Sequence, residues 1–101
     1  MPPMHRVLLA SVNAHVAVAV ADSVVPLTPP ASAAGVLLQV TGADVRFTID
    51  GTTPVGGSTG FLLYDTHDPL LVDLGNQVTL KFIRNATTSA SLQYQFVRQI
   101  G

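Results

Sequence analysis

Apolar residues recur along this chain in short runs separated by Gly, Pro, Asn and Asp, at the spacing expected of a β-sandwich or barrel. Residues 15–21 read HVAVAVA. A strand lines Val16, Val18 and Val20 along one face and the alanines along the other, whereas a helix would scatter the valines around its circumference. Residues 6–12 (RVLLASV) make a separate first strand. Residues 24–34 hold Pro26, Pro29 and Pro30, so this stretch reads as an edge strand followed by a loop, because proline cannot donate to a central ladder.

Residues 35–41 (GVLLQVT) put Val36, Leu38 and Val40 on one face. Residues 45–50 (VRFTID) alternate, with Val45, Phe47 and Ile49 inward and Arg46, Thr48 and Asp50 outward. The short link Gly42-Ala43-Asp44 predicts a hairpin between these two strands, and Asp50-Gly51 is a turn signal. Residues 51–60 (GTTPVGGSTG) carry four glycines and a proline and read as a mobile or partner-ordered loop. Residues 61–65 and 70–74 are two further strands around the turn at residues 66–69. Residues 78–84 turn Val78, Leu80 and Phe82 inward, and residues 91–98 do the same with Leu92, Tyr94 and Phe96.

The total is seven to nine strands with no helix and no internal repeat. The fold class expected is an all-β, single-domain antiparallel β-sandwich of jelly-roll or immunoglobulin/fibronectin-III-like type. It spans residues 1–101, with residues 1–5 as an N-terminal arm and residues 51–60 as the Gly-rich loop. Several runs are apolar on both faces: Leu37 opposes Leu38, Leu62 opposes Leu63, Leu71 opposes Leu70, and Ile83 opposes Phe82. A two-layer sandwich buries one face of each sheet, so the surplus faces loops, termini or another chain.

Composition sharpens that surplus. Charged residues make up 11% of the chain, against roughly 25% in an average soluble domain, while 48% are hydrophobic. A lone domain ordinarily carries more charge and smaller apolar patches, so the balance points to a surface partly covered by neighbours. The net charge is -1, and Arg6, Lys81, Arg84 and Arg98 lie apart along the chain. Nucleic-acid affinity rests on clustered Lys and Arg, so no nucleic-acid partner is expected. Cysteine is absent, which removes disulfides and thiolate metal sites.

Residues 1–23 loosely imitate a signal peptide, with Ala19-Val20-Ala21 as a small-residue cleavage site. Asn13 and His15 interrupt the apolar run, and residues 7–21 are too short and too polar to span a bilayer. The expectation is an unprocessed chain with no membrane partner.

Candidate chemistry is sparse. Asp65, His67 and Asp68 are the only group resembling a metal site, and Asp68-Pro69 makes a turn the better reading. His5 and His15 read as surface or strand-edge residues. No serine sits in an elbow motif beside a His and a carboxylate. Gly56-Gly57-Ser58-Thr59-Gly60 leads into a strand, not into the helix N-terminus that a phosphate loop needs. All six acids are Asp, and no pair suggests acid–base work. Asn85-Ala86-Thr87 matches a glycosylation sequon by chance. The expectation is no catalytic residue, no metal and no cofactor: not an enzyme.

The segments VLLQV (36–40), VRFTIDGTTP (45–54) and GFLL (60–63), extended by residues 69–84 and 92–97, resemble small β-proteins encoded among the structural genes of tailed bacteriophages. The resemblance covers about two-thirds of the chain. It implies a virion component, foremost a capsid decoration (cement) protein that stabilises the assembled head. A head–tail or tail accessory protein is the neighbouring alternative. The implied partner is the major capsid protein or another virion protein, engaged as a homo-oligomer or as lattice-bound copies. The implied location is the capsid surface, after synthesis in the host bacterial cytoplasm. The FTIDGTTP segment is also similar to the hairpin of fibronectin-III-like modules of carbohydrate-active enzymes, so a carbohydrate-binding or adhesion module is the rival reading. Those modules carry more aromatic residues and sit within larger proteins, whereas this chain has no Trp and starts at its own Met1. The contact segments expected are irregular and poor in charge: Met1, Pro2, Pro3 and Met4, then Pro26, Leu27, Pro29 and Pro30, then Thr53, Pro54 and Val55.

Overall fold

The computed structural model describes residues 8–75 and 79–100. Val78 and the N-terminal contact residues Met1, Pro2, Pro3 and Met4 lie outside the described residues, as does His5. Among the described residues there are eight strands and no helix: β1 (Leu8–Val20), β2 (Val25–Leu27), β3 (Gly35–Thr41), β4 (Val45–Thr48), β5 (Phe61–Leu63), β6 (Leu70–Asp73), β7 (Leu80–Arg84) and β8 (Ala90–Ile100). They build two antiparallel four-stranded sheets, ordered β1-β8-β3-β6 and β2-β7-β4-β5. The molecule is therefore a β-sandwich of two separate sheets.

The pairings follow one rule. The first strand pairs with the last, β2 with β7, β3 with β6, and β4 with β5. This is one long antiparallel hairpin rolled upon itself, the jelly-roll winding. The contacts β8 to β3 and β7 to β4 then join the ribbons into sheets. An immunoglobulin-type domain, with seven strands in a different order, does not have this arrangement.

Alternation places the core as the sequence implies. Val36, Leu38, Val40, Leu92 and Phe96 of one sheet meet Val45, Phe47, Leu63, Leu80 and Phe82 of the other. Phe47 and Phe82 stack with ring centroids 5.9 Å apart. Burial of each large side chain contributes roughly 1.5–3 kcal/mol. Tyr94 is half-buried against this cluster.

Three expectations are corrected. Residues 6–12 and 15–21 are not two strands: β1 runs through both. Val12 faces Phe96 and the next matched pair is Val16 with Tyr94, so three residues of β1 stand opposite one of β8. Asn13, at φ 65, absorbs the bulge. Because the insertion is of two residues, the valines on either side keep the same face.

Nor do β3 and β4 make a hairpin. The link at residues 42–44 carries the chain from one sheet to the other, with Gly42 at φ 89. Asp44 secures the crossing. Its carbonyl accepts from the Asn85 N–H at 3.0 Å, and its carboxylate accepts from the Asp65 N–H at 3.0 Å. A tight turn of this composition suits a hairpin and a sheet-crossing arch equally.

Ile49 does not face inward. β4 ends at Thr48, which is buried, and Ile49 is exposed. At this point the Thr48 hydroxyl donates to the Thr52 carbonyl, and the antiparallel ladder gives way. Beyond it, Asp50 forms an isolated parallel bridge with Thr79.

Candidate interaction surface

Among the described residues, seven large apolar side chains are exposed, and four of them, Phe61, Tyr64, Leu70 and Leu71, lie within residues 61–71. That segment is β5, a turn, and β6. Each of these strands is the edge of its sheet, paired on one side only. An inward-pointing position on an edge strand has core on one flank and water on the other. Phe61 shows the effect: it sits in register with the buried Phe47, with centroids 5.8 Å apart, yet it is 65% exposed. Leu70 faces the buried Leu38 and remains 42% exposed.

The turn between these strands is tied down by three contacts. The His67 N–H donates to the Tyr64 carbonyl at 3.2 Å, and the two rings meet edge-on at 4.9 Å. The Asp65 N–H is held by Asp44. Among the described residues, no three of His, Cys, Asp and Glu gather as metal ligands. His15 stands apart, with Nε2 2.7 Å from Oε1 of Gln93.

Two open clefts flank the apolar segment. One, of about 560 Å³, lies between Thr48, Ile49, Asp50, Thr52, Gly60 and Phe61. The side chain of Thr52, then its backbone N–H, hydrogen-bonds the Asp50 carboxyl and holds it below its ordinary value of 3.8. The other cleft, of about 580 Å³, lies on the outer face of the longer-stranded sheet, with Leu9, Leu71, Leu74 and Val97 around Gly35. Gly35 forms the floor: a Cβ there would come within 3.1 Å of Leu71 Cδ1.

The contact segments expected from sequence divide on inspection. Pro26 is exposed on the edge strand β2, Pro29 and Pro30 are half-buried, and Thr53 and Val55 are exposed. Leu27 belongs to the core and Pro54 is fully covered, so neither offers surface to a partner in this conformation. Leu27 is inward because β2 alternates around Pro26.

The residue 51–60 loop is also not loose. Arg46 Nε donates to Asn85 Oδ1 at 2.8 Å, and its Nη1 donates to the Gly60 carbonyl at 2.9 Å. The Gly57 N–H donates to the same Asn85 oxygen at 3.1 Å. The N–H of Val55 bonds the Thr59 carbonyl, and the N–H groups of Ser58 and Thr59 return to the Val55 carbonyl. Gly60, at φ 115, closes the loop onto β4, where a Cβ would lie 3.0 Å from the Phe47 carbonyl oxygen. The Asn85 of the sequon is thus a structural latch.

The apolar segment at residues 61–71 was not among the expected contacts, although its signal was present in the doubled leucines at 62–63 and 70–71. Compared with family models, curated proteins and solved structures, the chain matches none.

Proposed function

We propose that this chain is a non-enzymatic structural protein that docks on an assembled protein surface, as a decoration protein of a tailed-phage head. The observation that carries the reading is the apolar segment of β5, its turn and β6, with Phe61, Tyr64, Leu70 and Leu71 each exposed within eleven residues of a chain of low charge. The mechanism is mass action: a protein that binds only the assembled lattice stabilises that lattice. Contacts spanning two shell subunits add an effective-concentration advantage. The phage assignment rests on the sequence resemblance. Jelly-roll domains occur in viral shells and in lectins alike, so the winding is compatible with it and does not select it.

A second reading is favoured by one observation. Phe61 stands at the mouth of a cleft that also holds Thr48, Asp50 and Thr52, a combination of aromatic and polar groups suited to a sugar. Two experiments separate the readings. Purified protein mixed with mature heads of the phage that encodes it should co-sediment and raise their melting temperature, and Leu71→Ser should abolish both effects. Heads that melt identically with and without it overturn the decoration role. Specific signals on a glycan array, lost in Asp50→Asn, would install the carbohydrate reading.

A further inference from the structure

Four strand edges are open among the described residues, and three are short. β2 has three residues with Pro26 at its centre, β5 has three, and β6 has four and ends at Asp73. The fourth is the free edge of β1, thirteen residues long. It contains no Asp, Glu, Lys or Arg. Open edges are ordinarily blunted by brevity, proline, charge or bulges. β1 has only the bulge at Asn13, which leaves residues 16–20 as a straight run paired on one side alone.

An open edge presents a row of backbone N–H and C=O groups, a ready template on which another strand can pair. Residues 16–20 read VAVAV, which is the same in both directions about Val18. An antiparallel copy therefore sets Val16 against Val20, Ala17 against Ala19 and Val18 against itself. Val16 and Val18 are only half-buried on the core face, and Ala17 and Ala19 are exposed on the other. The pairing would extend the valine row without a gap, and the alanines offer no bulk or charge to oppose it. With a net charge of -1, two copies repel each other weakly.

We infer that two copies of this chain associate through residues 16–20 of β1, about a two-fold axis at Val18, to form one continuous eight-stranded sheet. The interface is isologous and closed. It is a property of the isolated chain and stands whether or not the decoration role does.

The test uses the purified protein alone. Sedimentation velocity across a micromolar-to-millimolar series should show a monomer–dimer equilibrium. The double substitution Ala17→Lys with Ala19→Lys sets like charges face to face at both alanine pairs and should weaken the dimer by about tenfold or more. Its circular dichroism, and its melting at concentrations where the parent is monomeric, should stay those of the parent, because both positions are exposed. Mixing it with an Ala17→Glu, Ala19→Glu copy should restore a dimer of mixed composition. The chain has no cysteine, so Val18→Cys is a single reporter. Opposed residues in antiparallel strands lie about 4.5–5.5 Å apart at Cα, within disulfide reach. Oxidation should cross-link this variant, while Thr41→Cys, exposed on β3, should stay single. A chain that is monomeric throughout the series overturns the inference. So does a dimer that persists in the lysine variant, or one that Val18→Cys does not cross-link.

Discussion

The sheet β2-β7-β4-β5 is assembled from strands of three to five residues. Its ladder is short, and a loop of backbone turns is bonded to β4 and the end of β7 through Arg46 and Asn85. The sheet β1-β8-β3-β6 contains strands of thirteen, eleven and seven residues. Its outer face carries Gln93, Gln95 and Gln99, with a cleft in place of a covering loop. Both sheets give fully buried side chains to the shared core, Leu38 and Leu92 from the long-stranded one and Leu80 and Phe82 from the other; they differ in ladder length and in the loop latched to the shorter. Substitutions on the enclosed inner face of either sheet should therefore cost far more than those on edge strands or on the outer face.

The largest expected effect is at an enclosed inner-face position. Phe82→Ala removes a fully buried ring stacked on Phe47 and should cost about 3–5 kcal/mol in urea unfolding. Val12→Ala on the edge strand β1, where the side chain is half-buried, should cost about 1 kcal/mol. Equal losses would remove the distinction between enclosed and edge strands. Next comes the latch. Asn85→Ala leaves the Gly57 N–H and the Arg46 guanidinium without their shared acceptor and should cost about 1–3 kcal/mol. Gln93→Ala on the open outer face should stay within about 0.5 kcal/mol.

Smaller again is Leu71→Ser, at a residue 42% exposed. It should change stability by less than about 1 kcal/mol while raising solubility in salt-induced precipitation. A large loss of stability would mean that Leu71 is structural and not a contact. The smallest effect is that of pH. Asp50 is held below its ordinary 3.8 by hydrogen bonds from Thr52. Its contribution is therefore present above that value and is lost as pH falls through the lowered native one. The group is fully exposed, so an acid titration of the melting temperature should differ only slightly between the parent and Asp50→Asn, and only below about pH 4.

The sandwich was legible because alternation is local: Val36, Leu38 and Val40, or Leu80 and Phe82, announce their buried face within five residues. The winding was not. Whether residues 42–44 close a hairpin or cross to the other sheet depends on β7 and β8, which begin 36 and 46 residues beyond Asp44, and no turn residue encodes that. Ile49 misled because β4 ends at Thr48, two residues before the alternating pattern does. Glycine content did not announce the bonds that tie the residue 51–60 loop to its neighbours, since one partner, Asn85, lies 25 residues beyond it. The candidate surface was half legible: the doubled leucines announced excess apolar area, but only the edge positions of β5 and β6 say which of them reach water.

Pairing the first strand with the last also shapes how this protein is made. During synthesis β1 emerges early, uncharged and rich in valine, and its partner β8 emerges only with residues 90–100. No nascent chain that stops short of β8 can complete the longer sheet, so its closure waits until residues 90–100 have emerged. A ribosome stalled before β8 would release a chain with its stickiest strand bare, and aggregation would be the fate of truncated products.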